Sequence, residues 1–282
     1  MIDRFPIKKN IKLYRTIQKI VNPNIVKNKK YEDVLLENIP IRIFDPHQSD
    51  KIIIYIHGGG WVSGTLDTHS NICYKLADEL KRKVISIGYR LAPEYPYPTG
   101  FNDCYFVIKN IMDNTNWNNV LLMGDSAGGN LAMGISLKAL HQKDFRCKKL
   151  ILIYPATQTD YTLNSKYVSL NTNSKKGFLT RKILEDYINM YLPDEYKMDQ
   201  YVNLLQAKKL FGLPKTMIVT GTNDPLHDEG VCLVKKLKRH LVSVVHYDLK
   251  DAYHGYFTNI FDKKYTTLTI ELIKGFIGDK SE

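Results

Sequence analysis

The sequence predicts an α/β fold, a mostly parallel, twisted sheet with helices on both faces. Two observations carry this. Short β-branched runs alternate with longer amphipathic stretches, the pattern of strands joined by crossover helices. One run, Ile52-Ile-Ile-Tyr-Ile56, is apolar without interruption, as a strand buried on both faces requires.

In chain order, Val34 to Leu36 and Ile39 to Phe44 read as a short antiparallel pair joined near Asn38, and Ile52 to Ile56 as the buried strand. His69 to Lys83 reads as a helix with Leu76 and Leu80 on its inner stripe. Val84 to Ile87 is the next strand, Gly100 to Asp113 a helix, Val120 to Met123 a strand and Ala127 to Gln142 a helix. Leu150 to Ile153 is a strand stopped by Pro155. From about Thr157 to Leu210 the rhythm breaks into a polar, tyrosine-rich stretch with one helical piece, Arg181 to Tyr191. Alternation resumes with a strand at Thr216 to Val219, a helix to about His240, a strand at Val242 to Leu249 and a last helix from Lys264 to Ile277. The whole, 1–282, reads as a single domain. The segments 1–30 and 157–210 are expected to form a helical lid over the sheet edge, and limited proteolysis cutting first in both would support this.

Composition narrows the function classes. The 282 residues are 44% hydrophobic and 24% charged, values of an ordinary globular chain. The four cysteines, Cys73, Cys104, Cys147 and Cys232, form no CxxC pair, so a thiolate zinc site is not indicated. They read as free thiols in a reducing compartment. The net charge is +11, from 40 Lys+Arg against 29 Asp+Glu. The basic stretches Lys27 to Lys30 and Lys235 to Arg239 are short, and the second lies on a solvated helix face, so no nucleic-acid partner is expected. No apolar run reaches the ~18 residues a membrane span needs. No signal-peptide core and no amphipathic anchor stand out, so a cytoplasmic protein without stable membrane insertion is expected.

Two motifs carry chemistry. Gly124-Asp-Ser-Ala-Gly128 lies between a strand and a helix, the setting in which G-x-S-x-G makes a nucleophile elbow. A serine on so sharp a turn is strained, its hydroxyl stands above the sheet, and the flanking positions leave no room for side chains. The bland alternative is a turn whose serine merely caps the helix. His57-Gly-Gly-Gly-Trp61 ends the buried strand. Three consecutive glycines suit a backbone that approaches another group and points N–H groups at it, as the oxyanion loop of lipases and esterases does. A phosphate loop is disfavoured because no Lys-Ser/Thr pair follows.

With Tyr89-Arg-Leu-Ala-Pro-Glu94 and Asp224-Pro-Leu-His-Asp-Glu-Gly230, these motifs occur in an order that resembles the hormone-sensitive-lipase-like branch of the α/β-hydrolases, and the chain is similar to small bacterial acetyl esterases. The first thirty residues and the 157–210 insert match no family pattern, and His227 stands where relatives often carry other polar residues.

The resemblance implies the α/β-hydrolase fold and a triad in the chain order Ser, Asp, His. Ser126 is the expected nucleophile. Of the histidines after it, His141 and His240 fall at helix ends and His246 inside a strand, whereas His254 lies in the loop Asp251-Ala-Tyr-His-Gly255, where the family places its base. Asp224, just past a strand, matches the family's acid. Asp228 and Glu229 read as first-turn acids facing the helix dipole, and Asp251 as a brace for its loop. Arg90 and Glu94 are expected to pair. The N–H groups of Gly59, Gly60 and Ala127 are the expected oxyanion donors, with Gly58 as a further one. Trp61 either walls the substrate pocket or packs under the lid.

These roles imply a carboxylesterase that cleaves short acyl, acetyl-like esters through an acyl-enzyme, without metal or cofactor. An amide or formamide hydrolase, arylformamidase-like or peptidase-like, would use the same residues. A non-catalytic ligand receptor is a third reading, disfavoured because all three triad residues are present. The expected partner is a small-molecule ester; a homodimer is compatible with these features.

Overall fold

A computed structural model of the chain describes residues 7–26, 30–174, 177–261 and 263–278. Eight strands form one sheet: β1 (Glu32–Leu36), β2 (Ile39–Phe44), β3 (Ile52–Ile56), β4 (Lys83–Ile87), β5 (Val120–Asp125), β6 (Lys149–Ile153), β7 (Lys215–Gly221) and β8 (Val244–Leu249). Their spatial order is β1-β2-β4-β3-β5-β6-β7-β8. β2 runs antiparallel to both neighbours, and all pairings from β4 to β8 are parallel.

The central strands follow from their composition. Every residue of β3 and β5 is buried, so continuous apolar runs occupy the middle of the sheet. Alternate residues serve opposite faces. Ile54, Ile56, Leu122 and Leu152 face a core completed by α3 (Thr99–Asp113), α4 (Ala127–Gln142) and α7 (His227–Arg239). Ile53, Tyr55, Met123 and Ile153 face a core completed by α2 (Leu66–Leu80) and α8 (Lys264–Ile277). Leu76 is fully buried in the second core, and truncating such a leucine to alanine typically costs about 2–5 kcal/mol.

The expected helix from His69 to Lys83 lies three residues earlier at both ends. Thr65 and Thr68 close a capping box that starts α2 at Leu66. Lys81 turns left-handed, with φ 51°, which ends the helix and frees Lys83 for β4.

The described residues of the segments outside the alternation also contain helices. α1 (Ile11–Val21) precedes the sheet, and α5 (Ser169–Thr172) and α6 (Arg181–Tyr191) lie in the insert. α1 is amphipathic, with Leu13, Ile17, Ile20 and Val21 along one side. Tyr14 of α1 and Tyr187 of α6 are joined through their hydroxyls. Part of the expected basic stretch, 27–29, lies outside the described residues. Cys73, Cys104 and Cys147 are buried free thiols and Cys232 is half-buried. Burial pushes the Cys147 thiol up to about 12.

Candidate active site

β5 delivers Ser126 to the top of the sheet. The serine has φ 53° and ψ −120°, a strained conformation for a residue with a Cβ. Its backbone N–H donates to the Ile153 carbonyl at 2.9 Å, and its carbonyl accepts from Asn130 and Ala156. Crowding explains the flanking glycines. A Cβ at Gly124 would strike the Gly128 carbonyl oxygen, and one at Gly128 would strike that of Ile56.

The loops after β7 and β8 bring two more side chains to this point. The Ser126 Oγ lies 2.9 Å from His254 Nε2. His254 Nδ1 lies 2.7 Å from Asp224 Oδ2. The other Asp224 oxygen, Oδ1, accepts the Leu226 N–H at 2.8 Å, which fixes the carboxylate in its turn. Asp224 is buried, and the Tyr154 ring packs 4.6 Å from that of His254. The imidazole is therefore held between an acceptor and the serine hydroxyl, in the tautomer with the proton on Nδ1.

The remaining acids and histidines go elsewhere. His227 bridges Asp228 and Asp248, each at 3.1 Å; burial lowers its pKa, but the two carboxylates outweigh this and raise it. His246 meets Thr220, and His141 meets the Lys209 carbonyl. Asp251 braces its loop through the backbone: its N–H donates to Thr222 and its carbonyl accepts from Asn223.

The glycine loop after β3 supplies donors. Gly59 and Gly60 have φ of 116° and 62°, conformations that glycine tolerates. Their N–H groups have no acceptor among the described residues. The Ala127 N–H opens α4, where first-turn N–H groups lack intrahelical partners. Gly58 departs from expectation. Its N–H donates to Asp125 Oδ1 at 2.9 Å, so it is spent on holding the loop.

A solved fold and a sequence family match this arrangement. A family model for the α/β hydrolase fold matches residues 53–258. This chain is an α/β-hydrolase of the hormone-sensitive-lipase-like branch. The hydrolase is 30% identical to arylacetamide deacetylase from Bos taurus, over 90% of this chain and 81% of the relative. It is 31% identical to the carboxylesterase NlhH of Mycobacterium tuberculosis, over 78% and 72% of the two chains. The structure of EstE1, a thermophilic carboxylesterase cloned from a metagenomic library, superposes with a TM-score of 0.85 at 27% identity, covering 98% of each chain.

Several residues of the hydrolase take places the sequence did not predict. Asp125, the residue before the nucleophile, accepts from the Tyr55 hydroxyl at 2.8 Å as well as from Gly58. Burial would raise its carboxyl, but His69, Tyr55 and Gly58 together hold it below the usual range. The signal was the register that sets Ile56 of β3 beside Gly124 of β5. Glu229 lies in the first turn of α7, as expected, but it does more than face the helix dipole. It is fully buried and accepts from the Thr157 N–H, the Gln158 amide and the Tyr161 hydroxyl. Burial pushes it up to about 8 against those donors. Its signal was spacing, since Glu229, Leu233 and Leu237 share one side of α7.

Arg90 and Glu94 do not pair with each other. Arg90 binds Asp103 with Nε at 2.9 Å, and Glu94 takes both outer nitrogens of Arg15 on α1. The two ends of the motif thus pin different neighbours, α3 and α1. Trp61 is buried, its ring stacked on Tyr191 of α6 at 4.7 Å and 3°. Tyr187 of the same helix sits so close to Gly60 that any Cβ there would collide with its ring.

Proposed function

We propose that the protein hydrolyses carboxylic esters of small molecules, with short acyl groups preferred, through an acyl-enzyme on Ser126. The observation that carries this reading is the unbroken chain Asp224–His254–Ser126, with hydrogen-bond distances of 2.7 and 2.9 Å. The Ser126 Oγ attacks the ester carbonyl as His254 Nε2 takes its proton. Asp224 keeps the other ring nitrogen protonated and steadies the imidazolium. The N–H groups of Gly59, Gly60 and Ala127 receive the negative oxygen; each such donor is worth about 2.7–4 kcal/mol in the transition state. His254 then returns the proton to the leaving alcohol, and water repeats the cycle on the acyl-enzyme. The preference for short acyl groups is supported by how Tyr187 closes over Gly60 and Tyr154 packs against His254.

The relatives named carboxylesterase support the ester as substrate. The relative named arylacetamide deacetylase supports a second reading, cleavage of aryl amides by the same acyl chemistry. A p-nitrophenyl ester series of increasing chain length, run beside matching anilides, separates the two. We expect turnover to be highest for acetyl or butyryl esters and to fall for longer chains. Ser126→Ala should lower kcat about 10⁴-fold or more and abolish labelling by a fluorophosphonate. Substantial hydrolysis by that variant would place the nucleophile elsewhere.

A further inference from the structure

α1 is an amphipathic helix docked with its polar side inward. Tyr14, Arg15 and Gln18 face the body: Arg15 binds Glu94 and the carbonyls of Val62 and Ala92, Tyr14 meets Tyr187, and Gln18 donates to Tyr14. Ile11 packs beside them against the core, but the other apolar residues of the helix face away. Leu13, Ile17, Ile20 and Val21 are all exposed, Ile20 to 71%. At 100° per residue these four fall within one continuous arc of about 100°, next to the docked side and not part of it. A surface helix normally buries that stripe. This one holds itself to the protein by a salt bridge, hydroxyls and the packing of Ile11 and Tyr14, and leaves its outer apolar stripe unpartnered among the described residues.

Charge says what fits the stripe. Lys8, Lys9, Lys12 and Lys19 are exposed on or just before the helix. From Ile7 to Tyr31 the sequence has eight basic residues and no acidic one, within a chain of net charge +11. Two copies brought together through this face would oppose like charges. An anionic bilayer satisfies both features, since it accepts the apolar side chains at the headgroup boundary and attracts the lysines.

We propose that α1 docks the protein, without insertion across the bilayer, onto an anionic lipid surface, with Leu13, Ile17, Ile20 and Val21 entering the interface. The helix bonded to α6, which covers the glycine loop, would then rest against lipid.

The test is sedimentation of the full chain with vesicles of phosphatidylcholine alone or mixed with phosphatidylglycerol. Binding should require the anionic lipid and weaken as salt rises. The double substitution Ile17→Asp with Ile20→Asp should lower binding by about tenfold or more. Both side chains are exposed, so its thermal unfolding should match that of the unaltered protein. If that variant does not fold, changing Lys8, Lys9, Lys12 and Lys19 together to Gln gives the second reading, loss of the preference for anionic vesicles. Three results would overturn the proposal: no binding of the unaltered chain to anionic vesicles, equal binding to neutral ones, or undiminished binding by the α1 variants. Analytical ultracentrifugation of the lipid-free protein supplies a fourth. A dimer that Ile17→Asp with Ile20→Asp converts to monomer would assign the stripe to a second copy.

Discussion

The floor of the site and the insert 157–210, which we propose as its cover, are each tied down by one buried carboxylate, and the two are held in opposite ways. On the floor, Asp125 joins the nucleophile strand to the glycine loop through Gly58 and Tyr55, with His69 3.5 Å away. Burial opposes its charge, and these neighbours overcome the opposition. In the cover, Glu229 joins α7 to the start of the insert, Thr157 to Tyr161. It too is surrounded by donors, but no histidine faces it and the negative Asp224 lies nearby, so burial prevails. A buried acid is ionised when a cationic or strongly donating neighbour offsets its lost hydration, and otherwise it holds its proton. The floor should therefore stay locked at any moderate pH, whereas the joint to the cover should loosen as pH rises.

Removing the floor anchor gives the largest effect. Asp125→Ala leaves the Tyr55 hydroxyl and the Gly58 N–H buried without an acceptor. We expect a loss of about 3–5 kcal/mol in urea unfolding. Asp125→Asn, which keeps the shape, should spare much of that stability yet lower kcat about tenfold or more, because the glycine loop loses its charged tether. Unchanged kcat in Asp125→Asn would mean that the loop holds its shape without the carboxylate.

This anchor also shows how far the sequence can be read. Ser126, His254 and Asp224 were legible because each follows a strand in a short motif, and the structure brings those three side chains together. The strands were legible because β-branched runs such as Ile52 to Ile56 have no other place in a water-soluble sheet. Asp125 sits inside the most informative motif, yet its role depends on β5 lying beside β3, a pairing between residues 70 apart in sequence. Glu229 is the first-turn acid the sequence suggests, but its buried position against Thr157, Gln158 and Tyr161 is one that only the fold of the insert creates. α1 escaped notice because its apolar stripe points outward and, along the sequence, lysines alternate with the residues that form it. In both cases the missing information was the identity of the neighbour.

The cover anchor should reveal itself through pH. The carboxyl of Glu229 is raised in the folded protein to about 8, from an ordinary value near 4.5. Between these values the folded state binds more protons than the unfolded one, so its contribution to stability is present at low pH and is lost as pH rises toward 8. Glu229→Gln cannot titrate. At pH 5 it should cost roughly 1–3 kcal/mol, because its amide group meets that of Gln158. That cost should shrink as pH is raised, and paired thermal melts from pH 5 to 8 measure it. A gap that widens with pH would show that Glu229 is ionised in the folded protein, like Asp125.

The smallest effect on global stability, and the sharpest contrast with Asp125, is expected at Arg15. This side chain clasps Glu94 with two nitrogens, at 2.9 and 2.8 Å, and reaches the carbonyls of Val62 and Ala92, so it fastens α1 to two loops of the floor. Arg15 holds the Glu94 carboxyl below its ordinary value. Glu94 is nevertheless 45% exposed, and water replaces much of what the pair supplies. Arg15→Ala should therefore cost only about 1 kcal/mol. Its local effect should be larger, because the polar side of α1 has few other holds and a helix of 11 residues does not persist alone. Limited proteolysis should then cut within α1 many times faster, while the melting temperature moves by only a few degrees. Arg15→Lys should restore little of the protection, since an ammonium cannot grip a carboxylate with two nitrogens and two carbonyls at once. A fall in melting temperature as large as that of Asp125→Ala would mean that the cover and the floor unfold as one unit and that the distinction drawn between their two anchors does not extend to stability.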